Sequence, residues 1–139
     1  MTPKSFRATV AVVALVVAAG AATVWAQQST PPANFKKVSA LVPLPDFIPG
    51  LGTLYVDPTT LPVGPFLAHD RQGRLVGTIY MVPVKDLEAK KAFTDLSAAK
   101  ERVDHVDITY NAGHPGVAEP HYHVILWYVS LQRASQLAK

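Results

Sequence analysis

Between Phe66 and Leu131 the hydrophobic pattern changes period several times, and each change marks an element. Phe66-Leu67-Ala68 is a short apolar run, Asp70-Arg71-Gln72-Gly73 is a turn ending in glycine, and Leu75 to Val82 is rich in β-branched and aromatic residues. That succession predicts a β-hairpin. Val103 to Tyr110 alternates, with Val106, Ile108 and Tyr110 on one side and His105, Asp107 and Thr109 on the other, as in a half-buried strand. His121 to Leu131 holds the run Val124-Ile125-Leu126-Trp127-Tyr128-Val129 and predicts a central strand. Asn111 to Pro120, which contains Gly113, Pro115, Gly116 and Pro120, predicts the loop between these two strands. Asp86 to Ala99 carries a helical pattern, with Asp86 as its N-cap and a weak apolar stripe through Leu87 and Phe93 to Leu96.

Upstream, Val38 to Pro65 is apolar yet broken by Pro43, Pro45, Pro49, Gly50, Gly52, Pro58, Pro62, Gly64 and Pro65. Proline fixes φ and gives no donor to a ladder, which excludes a helix or a long central strand here. Leu54-Tyr55-Val56 is one short strand candidate. Such a segment must press against something, either its own core or a neighbouring subunit. Together these elements predict an α+β domain with an antiparallel sheet and one main helix, the sheet flat or curled towards a small barrel.

The N-terminus reads as an export signal. Lys4 and Arg7 precede an uncharged apolar run from Ala8 to Val24, and Val24-Trp25-Ala26 ends on a small residue before polar Gln27-Gln28. This predicts a signal peptide over residues 1–26, cleaved after Ala26, and a periplasmic or extracellular protein with no membrane attachment afterwards. The alternative is a retained anchor helix, because the run is nearly long enough to span a bilayer. Residues 27–37 then form a flexible leader, 38–131 a single domain and 132–139 a tail. Charge changes with the cut. The whole chain has 13 basic and 10 acidic residues, and losing Lys4 and Arg7 leaves the remainder close to neutral. Nothing electrostatic points to nucleic acid or an anionic membrane. With no cysteine, an exported domain relies on its core, a metal or oligomerisation.

The candidate chemistry is histidine. Four of the chain's five histidines, His105, His114, His121 and His123, lie within one short stretch together with Asp104, Asp107 and Glu119. Imidazole is the commonest metal ligand and titrates near neutral pH. His121 and His123 are two apart on a predicted strand, so both rings leave the same face. His105 and Asp107 share a face of the preceding strand. A tight hairpin would carry His105 opposite the middle of the last strand, whereas a wider loop beginning near Ile108 would bring it level with His121. A His-only or His-carboxylate set favours Zn, Cu, Ni or Fe over Ca or Mg, with Zn²⁺ first. With three protein ligands, a fourth position could activate water, Glu119 or Asp107 acting as base. His69, beside the Asp70 turn, reads as a loop residue. No nucleophile elbow, Walker loop or dinucleotide fingerprint is present, so no reaction is named.

Val42-Pro43-Leu44-Pro45, Gly50-x-Gly52, the Asp70-Arg71-Gln72-Gly73 hairpin, Asp104-His105-Val106-Asp107, Gly113-His114-Pro115 and Pro120-His121-Tyr122-His123 occur in this order. In these motifs the chain resembles a family of small exported bacterial proteins of unknown function, typified by a sigma-E/anti-sigma-E-controlled homo-oligomeric protein of a thermophile. The resemblance covers about residues 38 to 130. Many members of that family carry an acidic residue between the last two histidines. Tyr122 stands there in this chain, so a role for that carboxylate is absent. The resemblance implies export, self-association into a closed homo-oligomer such as a decamer, and a link to envelope stress. It implies no activity. Two readings follow: an exported domain that binds a divalent cation through its histidines, or a non-catalytic homo-oligomeric assembly protein whose Val38 to Pro65 segment is the intersubunit surface.

Overall fold

The structure, a computed structural model, describes residues 29–139. The expected signal and its cleavage after Ala26 lie outside the described residues. Six strands form one antiparallel sheet: β1 (Lys36–Lys37), β2 (Thr53–Val56), β3 (Phe66–His69), β4 (Leu75–Pro83), β5 (His105–Asn111) and β6 (His121–Trp127). Their order in space is β1-β2-β3-β4-β6-β5. The antiparallel α+β expectation holds. The barrel does not form, because β1 and β5 end the sheet and do not pair with each other. The hairpin of β3 and β4 turns at Asp70–Gly73 as its sequence predicts. The buried Asp70 carboxylate there accepts from the Gln72 and Arg74 backbone N–H groups and from the Arg74 and Arg133 side chains.

Opposite residues of an antiparallel pair share a face, so the register lays out rows. Val56, Phe66, Ile79, Ile125 and Asp107 make one row, and Ala68, Gly77, Trp127 and His105 another. The Trp127 ring lies close enough to Gly77 that a β-carbon there would come within 3.3 Å of it. Over this face lies the proline-broken segment. Val42, Leu44, Phe47, Ile48 and Leu51 pack against a core that includes Val38, Val56, Phe66, Ile79, Met81, Ile125 and Trp127. The segment that reads as a core cover or an intersubunit surface is therefore pressed largely on its own core.

The helical expectation over Asp86 to Ala99 is corrected. The helix α1 spans Val84–Glu88, with Pro83 rather than Asp86 at its N-cap. It stops because Lys90 turns left-handed (φ 58°), while the Lys90 N–H bonds to the Leu87 carbonyl and the Lys91 N–H to the Asp86 carbonyl. This pair of bonds is a Schellman stop. No strong apolar stripe holds the helix beyond it, and Leu87 and Leu96 are exposed. The following segment crosses the other face of the sheet, where the Tyr80 hydroxyl donates to the Ser97 carbonyl. β4 is consequently buried from Val76 to Pro83.

The described part of the expected leader and the expected tail both belong to the fold. Lys36–Lys37 pair with β2, and the Ser29 N–H bonds to the Gly73 carbonyl. The expected tail forms a second helix, α2 (Leu131–Ser135), capped by the Ser130 hydroxyl. Leu137 just beyond it enters the core. Among the described residues, no helix is long and apolar enough to cross a membrane.

Candidate metal centre

β6 runs between β4 and β5, so it is covered on both edges and on the face shared by His121, His123, Ile125 and Trp127. His121 is 0% exposed and His123 is 9% exposed. The third histidine comes from the loop. His114 and Val117 exchange two backbone hydrogen bonds of 2.9 Å, which fold residues 112–120 back over the strand. Glycine makes that fold achievable at two places. Gly113 (φ 129°) would set a β-carbon 2.5 Å from the Ala118 carbonyl oxygen, and at Gly116 one would lie 2.7 Å from Val42. His114, His121 and His123 then converge, with one ring nitrogen of each within 4.8 Å of the others.

Backbone carbonyls fix the tautomer of two of the three rings. His121 Nδ1 lies 2.7 Å from the Glu119 carbonyl oxygen, and His114 Nδ1 lies 3.0 Å from the Pro115 carbonyl oxygen. A carbonyl only accepts, so in both rings Nδ1 carries the proton. Both Nε2 atoms therefore bear a lone pair in the neutral ring. Yet His123 Nε2 lies 3.0 Å from His121 Nε2, and the two lone-pair-bearing Nε2 atoms, those of His114 and His121, face each other at 3.2 Å. Lone pairs at this distance repel unless a cation lies between them. Tetrahedral zinc with Zn–N bonds of about 2.0–2.1 Å sets its nitrogens about 3.3 Å apart. Burial first, and then the neighbouring His121 and His114 rings, lower the His123 pKa to about 4, so this imidazole is neutral at ordinary pH. Carbonyl acceptors on the far nitrogens are the usual device for fixing the tautomer of a ligating histidine. The arrangement is a preformed set of three nitrogen donors.

His105 is not part of it. Its partner across the ladder is Trp127, four residues from His123 along β6, or roughly 14 Å at strand spacing. The pairing is that of the tighter register, with Asn111 opposite His121. His105 instead stacks on the Trp127 ring at 6.0 Å and contacts Asp104 at 2.9 Å. The two candidate carboxylates are also elsewhere. Asp107 accepts from Trp127 Nε1 at 2.8 Å, and Glu119 pairs with Lys85 at 2.6 Å. Glu119 contributes through its backbone carbonyl, not its side chain. His69 is no solvated loop residue but ends β3 in a buried position, its Nε2 3.1 Å from the Ser29 hydroxyl.

Beside the trio opens a cavity of about 260 Å³, lined by His114 and His123 and by apolar residues such as Leu44, Leu51, Val56, Phe66, Ile79 and Met81. Asn111 also lines it, a residue that the sequence reading passes over. Its position at the end of the alternating strand, beside the loop that carries His114, is the signal that could have found it.

Fold and site together define a small open-sheet α+β protein with a three-histidine centre, two of its rings buried. Its structure is similar to the crystal structure of the hypothetical protein TTHB210 from Thermus thermophilus, with a TM-score of 0.61. The two are 48% identical over 68% of this chain and 87% of that one, and the chain belongs to the family of that protein. No protein-family model and no curated protein matches it.

Proposed function

We propose that this protein is an exported metal-binding domain in which His114, His121 and His123 hold a divalent cation, Zn²⁺ first. The observation that carries the reading is the meeting of two lone-pair-bearing nitrogens, His114 Nε2 and His121 Nε2, 3.2 Å apart, with His123 Nε2 3.0 Å from the second. Imidazole-only sets suit zinc, copper and nickel, whereas calcium and magnesium want oxygen. Calorimetric titration of metal-stripped protein with Zn²⁺ tests this. One Zn²⁺ per chain is expected, with binding weakened at least tenfold in His121→Ala and His123→Ala and unchanged in His105→Ala and His69→Ala. A protein that takes up no zinc overturns it.

A second reading, self-assembly into a closed homo-oligomer of an envelope or stress-associated kind, is compatible with the first. What supports it is the outer face of β5. Val106, Ile108 and Tyr110 are 52%, 66% and 59% exposed, in a row on an edge strand. Edge strands with apolar faces are templates for another chain. Sedimentation should give a multimer, and Ile108→Lys should shift it towards the monomer. A monomeric wild type at micromolar concentration removes this reading.

A further inference from the structure

The metal centre and the apolar cavity share a wall, and neither explains the other by itself. A Zn²⁺ held by three neutral imidazoles keeps its full double charge. Among the described residues no carboxylate joins the trio. Glu119 is held by Lys85, and Asp107 by Trp127. An uncompensated double charge beside an apolar surface is costly, and zinc with three protein ligands takes a fourth from outside the chain. The fourth donor that lowers the energy most is therefore an anion. What adjoins that position is not a polar channel. Apart from Asn111, His114 and His123, the residues lining the cavity are apolar. Asn111 has its Oδ1 engaged by the Gly113 N–H, which leaves its amide NH₂ as the donor for a bound ligand.

We propose that the cavity binds an alkyl monocarboxylate, its carboxylate completing the zinc shell between His114 and His123 and its chain lying against Leu51, Phe66, Ile79 and Met81. The proposal rests on the zinc reading above. The volume sets the length. At about 30 Å³ per water- or methylene-sized group, the cavity holds on the order of eight or nine heavy atoms, a medium-chain acid rather than a long one.

The test uses acetate, butanoate, hexanoate and octanoate with the zinc-loaded and the metal-stripped protein, followed by calorimetry. Affinity for the zinc protein should rise roughly threefold to fourfold per added CH₂, the value of burying one methylene. It should fall off for dodecanoate, which outgrows the cavity. The metal-stripped protein should bind the same acids at least tenfold more weakly. In the Co²⁺-substituted protein, octanoate should change the visible spectrum, which reports direct coordination. Leu51→Trp, which fills the cavity, should lose the chain-length dependence while keeping its zinc affinity. Zinc uptake with octanoate no tighter than acetate overturns this proposal and leaves the metal centre standing. Octanoate binding equal with and without metal also overturns it, because the anchor is then not the cation. Absence of zinc uptake removes the metal centre itself, and the proposal with it.

Discussion

His121 and His123 occupy the first half of β6, Ile125 and Trp127 the second, and all four side chains leave the same face of the sheet. All four are buried. The second half does what a central strand does. Ile125 sits in a row with Ile79 and Phe66, and Trp127 lies over Gly77. Burying side chains of that size favours folding by about 1.5–3 kcal/mol each. The first half places imidazoles where the same pattern elsewhere places isoleucine and tryptophan. A buried polar group costs about 1–3 kcal/mol where its partners are incomplete. The histidine half is therefore a poorer core than the strand could have had, and the proposed metal ion is the partner that would offset the difference.

The comparison breaks most directly at Trp127. Trp127→Ala should cost about 3–5 kcal/mol of stability, the usual range for an aromatic core truncation. Zinc affinity of the folded fraction should stay as in wild type. Denaturant melts and calorimetry read the two quantities separately, and a parallel loss of zinc affinity would mean that the two halves are not independent.

Acid should act on the other half. The His123 pKa is about 4 in the fold against 6.5 for an unperturbed imidazole, chiefly because of burial. Between those values the unfolded chain binds a proton that the native metal-free protein refuses. Stability from this group is complete above pH 6.5 and is lost as pH falls towards 4, by about 3 kcal/mol in total. His69, whose pKa burial also lowers, acts in the same direction. Melts of metal-stripped protein across this range should show the loss, and His123→Leu should remove its share. A flat profile in wild type would contradict the buried neutral imidazole. In the zinc-loaded protein, metal release should accompany the same acidification, since protons compete for the ligand nitrogens.

His123→Leu sharpens the comparison at neutral pH. It makes the first half resemble the second at similar volume, so the metal-free variant should be at least as stable as wild type. A clear destabilisation would show that the histidines already satisfy one another without a metal.

The smallest effect belongs to the surface. Lys85 and Glu119 form an ion pair with both side chains more than half exposed. Glu119→Gln should leave melting temperature and zinc affinity unchanged, because His121 uses the Glu119 backbone carbonyl and not its carboxylate. A tenfold loss of zinc affinity in this variant would restore Glu119 as a functional carboxylate.

Much of the fold is legible in the residues. Period-two alternation at Val106 to Tyr110 and the apolar run from Val124 to Trp127 are local signals, and strand geometry alone places His121 and His123 on one face. The turn at Asp70–Gly73 is equally local, since an aspartate carboxylate closing on nearby N–H groups needs only its neighbours. The helix ends earlier than its pattern suggests because a Schellman stop at Lys90 depends on a left-handed residue that lysine does not announce. The tail is helical and anchored because Leu137 finds its core partners among residues distant in sequence, which no local pattern reveals.

By itself, the sequence determined the strands from β2 to β6, the turn, the antiparallel class and the histidine pair on β6, all of them consequences of spacing within a few residues, whereas β1 fell in the expected leader. Which other histidine completes the site was decided only by tertiary structure. His105 and His114 are each plausible from spacing. The pairing of Asn111 with His121 carries His105 to the far end of the strand, and the His114–Val117 bridge brings His114 back over it. Register is a sum over a whole ladder and a loop, and no single residue in either of them encodes it.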